Sequence, residues 1–98
     1  MVTEYGIALP APKPLMLGHV VVAPRRHVAG FYDLDVAEQG GLWVLVSLVR
    51  QHFEATLNLR SAAIGFADER NDQGHTHIHV VPRREGMQLP EGIQWVDS

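Results

Sequence analysis

Three histidines occupy alternate positions in the run His75 to Val81 (HTHIHVV). The residues between and after them are mostly β-branched, and Pro82 stops the run, so it reads as a strand. Side chains alternate faces along a strand. His75, His77 and His79 therefore line one face, about 7 Å apart, and Thr76, Ile78 and Val80 turn the other way, toward a core. Three imidazoles in a row are a poor choice for packing, because they are partly cationic near neutral pH and repel one another when charged. A polar strand face that carries histidine by chance is the plain alternative, and such clustering is rare. Two chemistries suit the row. Two histidines at i and i+2 with a third ligand make an ordinary zinc site. Alternatively, a neutral imidazole attacks phosphorus while its neighbours hold phosphate oxygens and supply a proton. The second route divides one displacement into two and requires no metal or other cofactor. Residue types alone leave both open.

The elements that must position these residues can be read along the chain. Ala8 to Pro14 (ALPAPKP) holds three prolines and must be extended or turning, outside any helix or central strand. Glu4 to Ala8 before it suits a short edge strand. Gly18 to Ala23 (GHVVVA) is a β-branched strand bounded by Gly18 and Pro24. Arg25 to Leu34 is a polar crossing with a turn at Gly30. Asp35 caps a helix, with Glu38 completing a capping-box pattern. Leu42, Leu45, Val49, Phe53 and Leu57 recur at the spacing of one buried helical face, and the helix ends near Asn58. Gly40 and Gly41 weaken its first turns by about 1 kcal/mol each, which close packing against the sheet would justify. Ser61 to Ala67 is a further strand, Asp68 to Gly74 a polar loop, and Glu91 to Asp97 a last short strand. The order β, β, α, β, β, β predicts an α+β fold, a mainly antiparallel sheet with one long helix on a face.

The chain of 98 residues fits one domain, residues 1–98. Apolar residues at 46% and charged residues at 19% exclude disorder. A net charge of −3 with eight basic residues argues against binding to nucleic acid or to an anionic membrane. No cysteine is present, which excludes disulfides, thiolate metal sites and a cysteine nucleophile, and suits a reducing compartment. No apolar stretch approaches spanning length and the first residues do not read as a secretory signal, so the expected location is cytoplasmic.

The run His75 to Val81, continued by Pro82 and Arg83, resembles the signature of the histidine triad (HIT) nucleotide hydrolases and transferases. Gly18 to His27 (GHVVVAPRRH) is similar to that family's upstream strand and turn. Phe31 to Leu34, then Glu38 and Leu42–Trp43, look like the approach to its central helix. Gly92 to Val96 (GIQWV) is similar to the tail of bacterial HIT hydrolases of the dinucleoside polyphosphate hydrolase type. The resemblance implies the HIT fold and a homodimer acting on a nucleotide or other small phosphate substrate. It further implies cleavage of a phosphoanhydride, phosphoramidate or phosphate ester through a transient nucleotidyl-histidine at His77. His75 and His79 would flank the nucleophile, and His19 would be the family's fourth histidine. His27 is implied to be a turn residue outside the chemistry, and His52 a polar position on the helix.

Some positions depart from the family. The Asp or Asn that bonds the ribose hydroxyls, eight residues before the upstream histidine, is Ala11 here. The Gly-rich phosphate loop is shortened to Asp68–Gly74, with Gln73 two residues before His75. The Asn found upstream of that loop falls near Ala67. Asn71, Asp72 and Gln73 are the nearest replacement ligands for substrate, against the alternative of a solvated turn. Trp95 either covers the pocket or packs on the sheet edge. Arg83 and Arg84, like Arg25 and Arg26, read as solvated, though the first pair could reach a phosphate. Two readings compete with nucleotidyl transfer: a metal-dependent hydrolase using the three histidines as ligands, and a nucleotide- or phosphometabolite-binding protein without turnover.

Overall fold

A computed structural model describes residues 1–67, 76–84, 86, 88–89 and 94–96. Strand β1 is Gly6–Pro10 and β2 is Val20–Pro24. A single 3-10 turn, Phe31–Asp33, leads to helix α1, Val36–Leu57, and then come β3 (Ala62–Ala67), β4 (His77–Pro82) and β5 (Gln94–Val96). Among the described residues the strands form one five-stranded sheet in the order β1-β2-β4-β3-β5, and every pairing is antiparallel. This is the α+β architecture expected from the sequence. β1 takes in Pro10 because it is an edge strand, where a missing N–H costs no ladder bond. The expected polar loop Asp68–Gly74 lies outside the described residues.

α1 begins as its sequence dictates. Asp35 Oδ1 accepts the Glu38 amide at 2.8 Å and Glu38 Oε1 accepts the Asp35 amide at 3.0 Å. Arg26 is exposed, as expected, and also clamps Glu38 through Nε and Nη2 and donates from Nη2 to the Asp33 carbonyl. Bonding to Arg26, helped by the Asp35 amide, holds the Glu38 carboxyl down at about 2. The helix stops where Asn58 adopts the left-handed region at φ 56°.

Leu42, Leu45, Val46, Val49 and Phe53 of α1 are buried on the sheet face formed by Val22, Ala62, Ile78 and Val80. Leu57 packs partly buried at the margin of this core. The helix therefore covers one face of β4, and the alternate residues His77 and His79 occupy the other.

The two helix glycines differ. A Cβ on Gly41 would lie 2.5 Å from Tyr5 Cδ2 and 2.6 Å from Tyr5 Cβ, whereas one on Gly40 would meet nothing within 4 Å. Gly41 thus lets the segment before β1 lie against the helix, and Gly40 has no such role. Gly40→Ala is expected to stabilise the protein by about 0.5–1 kcal/mol. Gly41→Ala is expected to destabilise it by about 1–3 kcal/mol, because the crowding falls on atoms near the Tyr5 backbone. Urea unfolding of the two variants checks the opposite signs.

Candidate active site

The site is built on the sheet face away from α1. On β4, the half-buried His77 and His79 alternate with the fully buried Ile78 and Val80. Thr76 precedes them, is buried, and ties the start of the strand to the crossing after β2, its amide donating to the Val28 carbonyl at 2.8 Å. Register sets the neighbours: Val21 of β2 and Gly65 of β3 both lie opposite His79, Ala67 lies opposite His77, and Ala63 opposite Val81. Trp95 of β5 lies opposite Gly65. Gly65 has no side chain, and the Trp95 and His79 ring centroids lie 6.4 Å apart across its row.

His19 arrives from the far side of the sheet order. Gly18 takes φ 96°, a left-handed conformation that glycine adopts without strain. A Cβ there would also stand 3.1 Å from Leu57 Cδ1 and from Pro82 Cγ. The turn is closed by the His19 amide donating to the Met16 carbonyl at 3.2 Å, and the Ala11 amide donates to the His19 carbonyl at 3.0 Å. His19 is left 4% exposed, with its ring centroid 5.1 Å from that of His79. The His77 and His79 centroids are 4.9 Å apart.

The hydrogen bonds fix where the protons sit. The Leu15 backbone N–H, which can only donate, donates to His19 Nδ1 at 3.1 Å. Nδ1 therefore carries no proton, and the single proton of the neutral ring is on Nε2. His19 Nε2 lies 3.0 Å from His79 Nδ1, so His19 donates and His79 Nδ1 accepts. The proton of neutral His79 is then on Nε2. A second proton on His79 Nδ1 would set two N–H groups face to face. Both nitrogens of His19 are engaged, so this histidine has none to offer a metal while the pair is intact.

Burial lowers the His19 pKa from its ordinary 6.5. Between that lowered value and 6.5 the unfolded chain binds the proton and the folded chain does not, so stability rises with pH across this window. Below 6.5 the natural protein should lose up to about 1.4 kcal/mol per pH unit from this one group. His19→Gln should remove that component. Denaturant unfolding of the two proteins from pH 7.5 to 5 measures the difference in slope.

Of the site residues expected from sequence, the structure brings together His19, His77, His79 and Trp95. His75, Asn71, Asp72 and Gln73 lie outside the described residues. Among the described residues no three His, Cys, Asp or Glu side chains converge as a metal site. His52 is exposed on α1, the helix packed on the opposite face of the sheet, and His27 is exposed in the crossing after β2. Ala11 is 8% exposed and spends its amide on the His19 carbonyl, and its methyl offers no side-chain acceptor, as its sequence indicates. Two contributors escaped the sequence reading. One is the Leu15 amide, whose role depends on the Gly18 turn. The other is Gly65, which a strand pattern of SAAIGFA marks only as a small residue. Among the described residues no helix is long and apolar enough to cross a membrane.

Comparison with known proteins gives a consistent result. The HIT domain profile matches residues 2–86. The bifunctional bis(5'-adenosyl)-triphosphatase/adenylylsulfatase of Arabidopsis thaliana is 33% identical over 87 residues, covering 86% of this chain and 48% of the relative. The asymmetrical bis(5'-nucleosyl)-tetraphosphatase of Schizosaccharomyces pombe is also 33% identical over 87 residues, covering 85% of this chain and 47% of the relative. The chain thus spans about half the length of these two relatives. The crystal structure of the C. elegans NitFhit protein superposes with a TM-score of 0.81 at 31% identity, over 93% of this chain and 23% of that one. With the profile match spanning most of its length, the chain belongs to the HIT domain family.

Proposed function

We propose that the protein is a nucleotide hydrolase or transferase that cleaves a phosphoanhydride through a nucleotidyl-histidine at His77. The observation that carries this reading is the proton order in the chain Leu15 N–H, His19, His79. In the first step a ring nitrogen of His77 bonds to phosphorus and the other ring nitrogen keeps its proton. The bond from phosphorus to the leaving oxygen breaks, and its electron pair departs with that oxygen. His79 Nε2–H hydrogen-bonds the developing oxyanion, a charge stabilisation of the oxyanion-hole type. In the second step water bonds to phosphorus, the phosphorus–nitrogen bond breaks, its pair returns to His77, and a water proton passes to solvent. With transfer, another acceptor replaces water.

His79 holds one proton and is fed by a neighbour that cannot release another without breaking the Leu15 bond. The pair is therefore built to solvate a leaving group that is stable as an anion. That is the leaving group of an anhydride, and the named activities of the Arabidopsis and fission-yeast relatives are of this kind. His75 completes the triad as the second flanking group, and Asn71, Asp72 and Gln73 remain the proposed ligands for substrate phosphate or nucleoside. Trp95 forms a wall beside His79. Ala11 offers no acceptor to a ribose, so specificity rests on the base and phosphates.

A homodimer is supported by the outer face of α1. Val36 is 85% exposed and Val44 57%, with Leu48 and Trp43 partly exposed beside them. A stripe of this size on one helix face suits burial against a second copy, and light scattering tests the mass. A chain without cysteine suits the reducing cytoplasm.

Detergent quench at alkaline pH, which preserves a phosphorus–nitrogen bond to histidine, during turnover of diadenosine triphosphate tests the central claim. Mass spectrometry should find an adenylyl group on the peptide holding His77. Turnover that never yields this adduct, and stops in chelator, would assign the histidines to a metal.

A further inference from the structure

The described residues include a groove of about 430 Å³ that the chemistry above leaves unused. Its lining comes from the 15–17 segment, from Val81 and Arg84 at the end of β4, and from Gly86, Gln88 and Leu89 beyond it. Its place in the fold is specific. Val81 follows His79 by two residues, so it stands on the same face of β4 about 7 Å further along. His19 is one residue ahead of the pair Val20↔Val80, which sets it beside Val81. Leu15 contributes its side chain to the groove and its amide to His19. The groove therefore begins where the His19–His79 pair ends, and the segment that forms one wall also fixes the proton order in that pair.

Its chemistry is equally specific. The lining is largely aliphatic, with Leu15 and Leu17 well exposed, and its polar side chains are those of Arg84 and Gln88. A volume of about 430 Å³ falls within the range of small-ligand sites, near its lower end. It suits a single nucleoside-sized body and not a dinucleotide.

We infer that this groove seats the leaving group, and that the group it fits is a nucleoside polyphosphate. Its phosphates would lie between His79 and Arg84, and its base on Leu15, Leu17 and Leu89. This rests on the reading of His77 as nucleophile and adds to it a second binding site on the His79 side. Arg84 supplies charge complementarity to the departing phosphates. Aliphatic side chains supply an apolar surface for the base. An occupant pressing on Leu15–Leu17 also bears on the turn that holds His19, which links leaving-group recognition to the hydrogen bond that assists departure.

The test compares two substrates that share the adenylyl half. Diadenosine triphosphate expels ADP, which fills the groove; adenosine 5'-phosphorofluoridate expels fluoride, which is too small to reach it. The readout is the ratio of their kcat/KM values. Leu17→Glu and Arg84→Glu both alter exposed side chains, and thermal unfolding checks that each variant folds. Each should lower the ratio by about tenfold or more, the scale of a lost charged contact. A ratio that stays within about threefold in both folded variants overturns the inference, since a contact of that scale would then be missing. A change of oligomeric mass in both, with the ratio kept, would give the groove to a second copy and also overturn it. Failure of the underlying reading looks different. In that case the natural protein turns over neither substrate, or turns over both without an adduct on His77.

Discussion

His77→Asn is expected to lower kcat for a nucleotide phosphoanhydride by about 10⁴-fold or more, the scale seen when the nucleophile of a cooperating site is removed. The fold should be barely affected. His77 is half-buried on the face away from α1, and the strand is held by Ile78 and Val80, both fully buried beneath the helix. An amide at this position keeps polarity and part of the volume but cannot form a bond to phosphorus that later breaks. The decisive pair of measurements is the turnover rate and the thermal unfolding midpoint of the same preparation. Turnover within tenfold of the natural protein would remove His77 from the nucleophile's role. Loss of turnover together with loss of folding would require His77→Gln, which keeps more of the ring's volume, before the role is assigned.

The second large effect separates classes of substrate. An amine expelled from a phosphoramidate must receive a whole proton, whereas a phosphate expelled from an anhydride leaves as an anion and needs only a hydrogen bond. General acid catalysis typically contributes about 10²–10⁴-fold. His79 can supply that only by taking a second proton, which the Leu15–His19–His79 order opposes. At pH 7 an adenylyl anhydride should therefore be cleaved about 10²–10⁴-fold faster than an adenylyl phosphoramidate with a simple alkylamine, after correction for their uncatalysed rates. The gap should narrow as pH falls, because the pair is then forced to accept a proton. Competition between the two substrates at pH 8, 7 and 6 measures this directly. Equal efficiency at pH 8 would mean that the pair gives up a proton freely and that the hydrogen bond from Leu15 does not govern it.

Much of this architecture is legible in the residues. Asp35 and Glu38 announce the helix start, and Leu42, Leu45, Val49 and Phe53 announce its buried face. Both readings depend on local spacing, which a sequence records directly. The alternation His77, Ile78, His79, Val80 likewise states which face of β4 meets the core. What spacing cannot record is contact between distant segments. Arg26 is solvated as its sequence suggests, but its pairing with Glu38 is not legible, because Glu38 comes within reach only after the chain has crossed from β2 to α1. Gly41 reads as a weak helix residue until Tyr5 is laid against it. The Leu15 amide is invisible because a backbone N–H is present at almost every residue. Its significance arises only once Gly18 turns His19 back toward it.

The hydrogen bond between His19 and His79 joins residues 60 apart in sequence. β3 and β4 are consecutive strands in an antiparallel pair, but β2 reaches β4 only after α1 and β3 have intervened. Closing so long a loop carries a larger entropic cost, and contacts of this range form late in folding. The His19–His79 contact is therefore expected to form after the local contacts within α1 and between β3 and β4. Regained catalytic rate should lag the return of helical signal from α1 and coincide with docking of β2 onto β4. A partly folded chain can expose His77, but it cannot yet place His19 against His79, the contact on which the proposed chemistry depends.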